Sequence, residues 1–434
     1  MKKVVFLSVL ALMLVLSACS GGNNNQQGNG QNDGNDGNDG GSKETVTIEL
    51  AAGADGSKQR DAAIERFNET HTDIQIKYVE LPSVPNEQLT RYSTWFNSHS
   101  ETPDLFLMDV TWPKMFASAG WIAPLDEYLD DDFKERFWPA ALEVAQMDGK
   151  QYGVQSYMDV GALYYRTDLL EKYGHEVPTT WTELEEISKD IIAQENNPNL
   201  VGYVFQGAKI EGATLNWLEF FWGNGGEVMD EEGNIRVDSP EGIEAMRTMQ
   251  GLVHESGISP VSVATSNPND NKIVFGNGNA IFMRNWPSFY EVMKDEVVKG
   301  NYDVAPLPHH EGFEDHSSTG GWVYGINSNS EHKEEAAEVM KWFLSNEEQK
   351  DMAINGGVIP SVKAVVEDPA VIEAQPVFEK LTAILENAKS RPALRAYEQF
   401  SRALQTEVNL AMNNLKDAEQ AMKDAQKEID KIEQ

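Results

Sequence analysis

Cys19 is the only cysteine among the 434 residues, so the chain cannot form a disulfide within itself. It follows a charged start at Lys2 and Lys3 and an apolar run over residues 4–16. That layout is typical of a secretory signal, and the apolar run is short for a membrane span. An exported fold without disulfides must be held by its apolar core alone. A chain of this length can bury such a core and is expected to divide into at least two domains.

The four residues Leu16-Ser17-Ala18-Cys19 resemble the lipobox of bacterial lipoproteins. The resemblance implies that residues 1–18 are a signal peptide and that Cys19 carries a lipid. The alternative is a chance buried cysteine behind an ordinary signal. Residues 19–42 consist almost wholly of Gly, Asn, Gln and Asp after the cysteine, a composition that predicts a flexible tether. We therefore expect an extracytoplasmic protein, anchored to the cell membrane of a Gram-positive bacterium.

The chain is strongly acidic, with 35 Lys and Arg against 70 Asp and Glu and a formal net charge of −35. Nucleic-acid binding requires a basic face, so we expect no nucleic-acid partner. Anionic lipid headgroups would also be repelled, which restricts membrane contact to the lipid anchor. The charge is best interpreted as a contribution to solubility.

The folded part begins with a pattern of alternating α and β elements. Apolar residues alternate over 46–50 and over 74–78, with helical spacing through Ala63, Ile64 and Phe67 between them. This pattern predicts strand, helix, strand, and a right-handed crossover would make the strands parallel. A buried strand is then predicted over 103–109 and ends at Asp109, where open α/β sheets place ligands.

Four further elements are predicted along the chain. A helix is expected over 87–97, a hairpin over 227–237, and a helix that begins at Ser239-Pro240-Glu241. Residues 415–432 place apolar side chains at helical spacing. This last helix either packs on its own domain, which we favour, or forms a short coiled coil with a partner.

Aromatic residues stand beside carboxylates, amides or arginine at several loop-like positions. Sugars need this mixture, because their C–H faces lie on aromatic rings and their hydroxyls bond to polar groups. The G-x-S-x-G, H-E-x-x-H, phosphate-loop and G-x-G-x-x-G motifs are absent. His309, His310 and His316 stand in a loop-like segment that does not favour a metal site. We expect no metal and no cofactor. The aromatic and polar positions are Asp109 near Trp112, Tyr157 with Asp159, Asn216-Trp217 with Trp222, Asn285-Trp286, Gly321-Trp322 and Arg391.

Seven segments in the same order resemble the family 1 extracellular solute-binding proteins of ATP-driven sugar importers, and most of all the trehalose/maltose-binding branch. The segments are PDLFLMDVTWPKMFASAGWIAPLDEYL (103–129), DVGALYYRTDLLEKYG (159–174) with PTTWTEL after it, GYVFQGAKIEG (202–212), FGNGNAIFMRNWP (275–287), VAPLPHHEG (304–312), GGWVYGINSNS (320–330) and RPALRAYEQF (391–400).

The resemblance implies an α/β, two-lobe fold like that of periplasmic binding proteins (type II), with a hinge between the lobes and the ligand in the cleft. The first α/β lobe is predicted to comprise residues 43–156 plus 308–355. The second is predicted to comprise residues 157–307 plus 356–434.

The resemblance also implies the roles of individual residues in sugar binding. Asp109 would bind hydroxyls from the first lobe, Trp286 would stack on the sugar, and Arg391 would donate to hydroxyls. Tyr157, Asp159, Gly321 and Trp322 complete the main set. The relatives offer an arginine on the helix before Asp109, where this chain has Gln88 with Arg91 close by. The weaker candidates are Asp55, Gln88, Arg91, Trp112 and Asn216.

The resemblance therefore implies a monomeric receptor that binds an α-glucoside such as trehalose or maltose, closes around it and delivers it to the permease of an ABC importer. We expect the aspartates to be ionised, with Arg391 offsetting their charge. One alternative is a secreted glycoside hydrolase that uses Asp109 and Asp159 as its two carboxyls. Another is a sugar sensor with the same fold.

Overall fold

The computed structural model describes residues 45–54, 58–230, 232–392, 394 and 396–432. The predicted signal peptide, Cys19, the tether and Asp55 lie outside the described residues. Among those described, the strands, numbered β1 to β12 in chain order, are Val46–Gly53, Ile74–Leu81, Leu105–Asp109, Gln146–Met147, Lys150–Gln151, Val154–Val160, Ala162–Arg166, Val201–Val204, Ala280–Asn285, Tyr302–Ala305, Thr319–Ile326 and Ile359–Pro360.

Helices alternate with these strands, which confirms the predicted α/β class. In the described ranges the α-helices, numbered α1 to α18, are Gln59–Thr70, Pro85–Asn97, Pro113–Ser118, Asp131–Lys134, Pro139–Glu143, Thr167–Tyr173, Trp181–Glu195, Glu211–Trp222, Pro240–His254, Pro268–Gly276, Ser288–Met293, Lys333–Phe343, Asn346–Gly356, Lys363–Val366, Pro369–Ala374, Phe378–Glu386, Tyr397–Met412 and Ala418–Ile429.

Two sheets organise the fold. The first has six strands in the order β12-β6-β11-β3-β1-β2, and the second has four in the order β10-β7-β9-β8. We call each sheet with the helices packed on it a lobe, the six-stranded sheet marking the first lobe. The predicted start of the fold is confirmed, since β1 and β2 pair in parallel with Val46 opposite Ile74. Strand β3 is buried throughout and ends at Asp109, as predicted.

Within the described residues, the chain passes between these two sheets at three places that lie side by side. These crossing segments are residues 160–162, residues 317–319, and Lys389 on the way to α17. Gly161 N donates to Ser318 O at 3.1 Å, and Lys389 N donates to Ser317 O at 2.8 Å. The three segments therefore form a hydrogen-bonded hinge. Strand β6 belongs to the six-stranded sheet as far as Val160, so the chain changes sheet after that residue. The lobe boundaries implied by the resemblance remain a prediction.

Helix α17 belongs to the second lobe, where it packs on α8, α9 and α18. The C-terminal helix also packs there, as favoured, but it begins at Ala418. Leu415 was predicted to lie on its apolar face and is instead 70% exposed, because the Asp417 side chain caps the helix after it.

Ser239 caps α9 as predicted, through Gly242 N. The hairpin over 227–237 is reduced to a single bridge between Met229 and Ile235.

Candidate functional site

Three adjacent strands place three predicted residues beside one another. Trp322 of β11 is the register partner of Asp109 in β3 and of Tyr157 in β6. Residues directly opposite each other in antiparallel strands point to the same face of the sheet. A carboxylate, an indole and a phenol from three distant segments therefore lie side by side at the carboxyl end of β3.

Two glycines allow close packing next to this row. Gly321 has a φ of +121°, and an added Cβ would lie 2.5 Å from Tyr157 O. At Gly320 an added Cβ would lie 2.8 Å from the Trp286 ring and 3.4 Å from Asp159 Cβ. Trp286 follows β9 of the second lobe, so the absence of a side chain at Gly320 lets its indole reach the first-lobe strand.

A cavity of about 260 Å³ lies between the lobes at this point. Its wall contains aromatic rings, carboxylates, amides and one guanidinium, the composition expected of a site that fixes a polar ligand by a few directed groups. All seven main residues of the sequence prediction line it, namely Asp109, Tyr157, Asp159, Trp286, Gly321, Trp322 and Arg391. The lining also includes Ser83, Gln206, Glu211, Asn267, Asn269 and Phe289.

A second cavity of about 520 Å³ adjoins the first. The two share wall residues from both lobes, among them Tyr157, Trp322 and Phe289. Gln88 lines the larger cavity and is fully buried, with its Nε2 donating to Pro82 O at 2.8 Å. The site therefore extends beyond the row of Asp109, Trp322 and Tyr157.

Arg391 is held by carboxylates from both lobes. Its Nη2 lies 3.0 Å from Asp109 Oδ1 and its Nη1 lies 2.9 Å from Glu211 Oε1 at the start of α8. Burial alone would lower the pKa of Arg391, but the two carboxylates and Tyr397 raise it above its ordinary value. Glu211 is itself held by hydroxyl donors, Tyr397 and Ser401. The guanidinium is therefore fixed and charged at the cavity wall.

Asp159 differs from the expectation that it is ionised. Burial raises its pKa to about 7, against the opposing charge of the Arg284 guanidinium. The carboxyl therefore keeps its proton to a higher pH than an ordinary aspartate does, because the energetic cost of desolvating a carboxylate exceeds what one nearby cation returns. Asp109 and Arg391 form a direct ion pair, in line with the expected charge compensation.

A second link between the lobes lies near the cavity. Trp112 Nε1, in the loop after β3, donates to Glu398 Oε1 of α17 at 3.0 Å. Burial and the charge of Glu211 raise the pKa of Glu398 to about 7. Trp112 is 2% exposed and packs edge-on against Trp322, so it supports a cavity residue and does not line either cavity.

Two other weaker candidates line neither cavity. Arg91 is exposed, with its guanidinium over the Trp95 ring. Asn216 is buried, and its Nδ2 donates to Gln206 Oε1 at 3.1 Å, so it lies behind a lining residue. Among the described side chains, no group of three or more His, Cys, Asp or Glu is arranged to hold a metal ion.

Sequence reasoning did not single out Glu211, Arg284 or Glu398. A signal existed for Arg284, because it follows the four apolar residues that begin β9, and a charged residue in a buried strand needs a buried partner. Nothing in the sequence around Glu398 indicated its role, because its hydrogen-bond partner Trp112 is 286 residues away.

The chain is similar to several known binding proteins. A family model described as a bacterial extracellular solute-binding protein matches residues 53–350. A probable ABC transporter-binding protein of Deinococcus radiodurans is 32% identical over 348 residues, covering 78% of this chain and 81% of the relative. The maltotriose-binding protein of Pyrococcus abyssi is 26% identical over 325 residues, covering 74% of this chain and 67% of the relative.

A solved structure gives the same result. Maltose-bound MalE3 of T. maritima shares 35% identity and a TM-score of 0.85, covering 89% of this chain and 99% of that one. The likeness confirms the expected two-lobe fold, and these relatives are binding proteins. No helix in the described part of the chain is both long enough and apolar enough to cross a membrane. The chain belongs to the bacterial extracellular solute-binding protein family.

Proposed function

We propose that this protein is the sugar receptor of an ABC importer and that it binds a di- or oligosaccharide, an α-glucoside such as maltose or trehalose. The observation that carries the proposal is the convergence of seven predicted residues from both lobes on one cavity. The indoles of Trp286 and Trp322 offer apolar faces, and Asp109 and Arg391 offer an acceptor and donors for hydroxyls. The maltose bound to T. maritima MalE3 and the name of the P. abyssi relative support the choice of an α-glucoside.

Binding would act through the hinge. A sugar that touches residues of both lobes stabilises the closed arrangement over an open one and shifts the population toward it. The closed form would then dock on the permease, which receives the sugar unchanged. We further propose that the receptor is a monomer held at the outer face of the cell membrane through a lipid on Cys19.

The test is a titration of the full chain carrying Cys19→Ser against a panel of maltose, trehalose, sucrose, maltotriose and neutral polyols, followed by tryptophan fluorescence and calorimetry. We expect saturable one-to-one binding of at least one α-glucoside. Chromatography of the recovered sugar distinguishes a receptor from a hydrolase, since a receptor returns the intact disaccharide. Absence of binding across the panel, or accumulation of monosaccharide, would contradict the proposal.

The anchor needs a separate measurement. Cells that express the unaltered chain should retain it in the membrane fraction, and cells that express Cys19→Ser should release it or retain the uncleaved precursor without incorporated lipid. Incorporation of a labelled fatty acid into both proteins to the same extent would refute lipidation at Cys19.

A further inference from the structure

A buried ion pair lies beneath the cavity, between Arg284 of β9 and Glu219 of α8. Arg284 Nε lies 2.9 Å from Glu219 Oε2, and Nη2 lies 2.5 Å from Oε1. The side chains are 0% and 2% exposed. Neither lines either cavity, so neither is placed to touch a ligand. Because a buried pair of this kind is often no more stabilising than apolar residues, its position calls for an explanation other than stability.

The pair contacts two of the three crossing segments of the hinge. Ser318 Oγ donates to Glu219 Oε1 at 2.5 Å and accepts from Arg284 Nη2 at 3.0 Å. At Gly161, an added Cβ would lie 2.4 Å from Glu219 Oε1 and 2.5 Å from Arg284 Nη2. Residue 161 thus has to be glycine for the pair to lie against the hinge, and any movement of the crossing segments changes the surroundings of both charges.

The same guanidinium reaches two groups of the cavity wall. Arg284 Cζ lies 4.0 Å from the centroid of the Trp286 ring, a cation–π contact that fixes the plane of the indole. Its positive charge also acts on Asp159 and stabilises the ionised carboxylate there. Trp286 and Asp159 are neighbours, since both lie against Gly320. Arg284 therefore connects the hinge, a ring of the cavity and a carboxyl of the cavity.

We propose that Arg284, held by Glu219 and Ser318 against the hinge, is a positioning residue that fixes the plane of Trp286 beside Asp159, and thereby couples the hinge to sugar affinity. The inference rests on the proposed function. Ionised Asp159 accepts a sugar hydroxyl more strongly than its neutral form does, because a charge-assisted hydrogen bond is the stronger one. Loss of the guanidinium charge would favour the neutral form and weaken binding on the acidic side of neutrality.

Other ionisable groups lie around Asp159. Each variant described below replaces one residue, Arg284 or Glu219, and leaves the other ionisable groups in place. The charge of Arg284 acts on Asp159 from β9, and the hydroxyl of Tyr164 interacts with it from β7, while Glu219 of α8 binds the Arg284 guanidinium. Three further charged groups share its cavity. These are Asp109, Glu211 and Arg391.

The experiment compares the wild-type protein with Arg284→Gln, Arg284→Lys and Glu219→Gln. Two quantities are measured over pH 5 to 9, the dissociation constant for the tightest sugar of the panel and the pKa of Asp159, followed by carbon-13 NMR of its carboxyl in the ligand-free protein. Arg284→Gln should raise the midpoint of both curves by about one pH unit, which weakens binding about tenfold at acidic pH. Glu219→Gln leaves the guanidinium without its counter-charge and should move both midpoints in the opposite direction.

Arg284→Lys keeps the positive charge but loses the planar guanidinium. The midpoints of the two pH curves should therefore return to the wild-type values, while the affinity for sugar stays below that of the wild type. A purely structural role predicts something else, namely equal weakening at all pH values with no movement of the midpoint, and that result would overturn the inference. Should Arg284→Gln fail to fold, the downward shift in Glu219→Gln decides alone. If the wild type binds no sugar, the proposed function fails, whereas the carboxyl titration still shows whether Arg284 controls Asp159.

Discussion

Arg391 and Asp109 form an ion pair, with 3.0 Å between Nη2 and Oδ1, that joins the segment before α17 to the carboxyl end of β3. The side chains are 3% and 12% exposed, and Glu211 binds the other nitrogen of the guanidinium. One cation thus balances two buried carboxylates, one in each lobe. Charge balance at the cavity wall depends on this single residue.

We therefore expect Arg391→Met to destabilise the protein by about 3–5 kcal/mol, the cost of leaving a buried charge unpaired. The measurement is urea unfolding followed by circular dichroism. Lys389→Met is the matched control, because Lys389 pairs with Glu227 at 2.7 Å while the two side chains are 29% and 67% exposed. An exposed pair should be worth less than about 1 kcal/mol. Equal losses in the two variants would show that Arg391 has no special part in charge balance.

Trp286 offers the most direct test of the proposed stacking surface. It lines the cavity and is half-buried there, so Trp286→Ala should weaken sugar binding about tenfold or more, as truncation of a central aromatic contact commonly costs about 2 kcal/mol. Trp95→Ala is the control, since Trp95 is also half-buried but lies on α2, away from both cavities. Calorimetry gives both dissociation constants. If the two substitutions weaken binding equally, the assignment of Trp286 is wrong.

Much of this site could be predicted from the sequence, because the ends of buried strands and short motifs are visible in a local stretch of residues. Contacts between distant segments are not. Asp109 follows an apolar run, which marks the carboxyl end of a buried strand, whereas the roles of Gly321 and Trp322 came from the resemblance of their segment to the family. The hydrogen-bond partners that a residue has in the other lobe could not be predicted from the sequence. Trp112 was an aromatic residue near Asp109 and so a contact candidate, yet its indole nitrogen is taken by Glu398.

Two differences between the predicted and the observed elements have local causes. Leu415 fits the apolar spacing of the last helix. Spacing cannot show, however, that the Asp417 side chain caps α18, so that the helix begins only at Ala418.

In the segment 227–237, the Asp230 side chain accepts hydrogen bonds from Asn234 N at 2.8 Å and from Asn234 Nδ2 at 3.1 Å. These contacts stabilise the predicted turn, and Arg236 N donates to Val228 O at 2.8 Å beyond it. The hairpin is therefore present, with its pairing limited to the bridge between Met229 and Ile235.

The pH dependence of stability tests the state of Glu398. Its pKa is about 7 in the folded protein against an ordinary value of 4.5, so the folded chain holds a proton that the unfolded chain has released between these values. The free energy of unfolding therefore falls as pH rises through that window. Glu398→Gln removes this contribution and should flatten the decline by about 1–3 kcal/mol.

Unfolding in urea at pH values from 4.5 to 7.5 measures the decline. Asp159 contributes a slope of the same sign in both proteins, so only the difference between the curves reports on Glu398. Glu428→Gln, an exposed change of the same charge on α18, controls for net charge. Parallel curves for the wild type and Glu398→Gln would mean that this carboxyl has an ordinary pKa.

The backbone at Gly321 leads to the last prediction. With a φ of +121°, this residue adopts a conformation that side chains disfavour, and an added Cβ would approach Tyr157 O to 2.5 Å and Gln155 Nε2 to 2.4 Å. Gly321→Ala must therefore push β11 away from β6. We expect a loss of about 1–3 kcal/mol in stability.

The same substitution should weaken sugar binding, since Trp322 and Tyr157 are register partners whose rings line the cavity together. Gly251→Ala in α9 is the control, because an added Cβ there meets no atom closer than 3.8 Å and alanine favours a helix interior by about 0.5–1 kcal/mol. Urea unfolding and calorimetry of both variants make the comparison. Wild-type affinity in Gly321→Ala would mean that the alignment of Trp322 with Tyr157 does not determine ligand binding, and that the cavity tolerates a displaced strand.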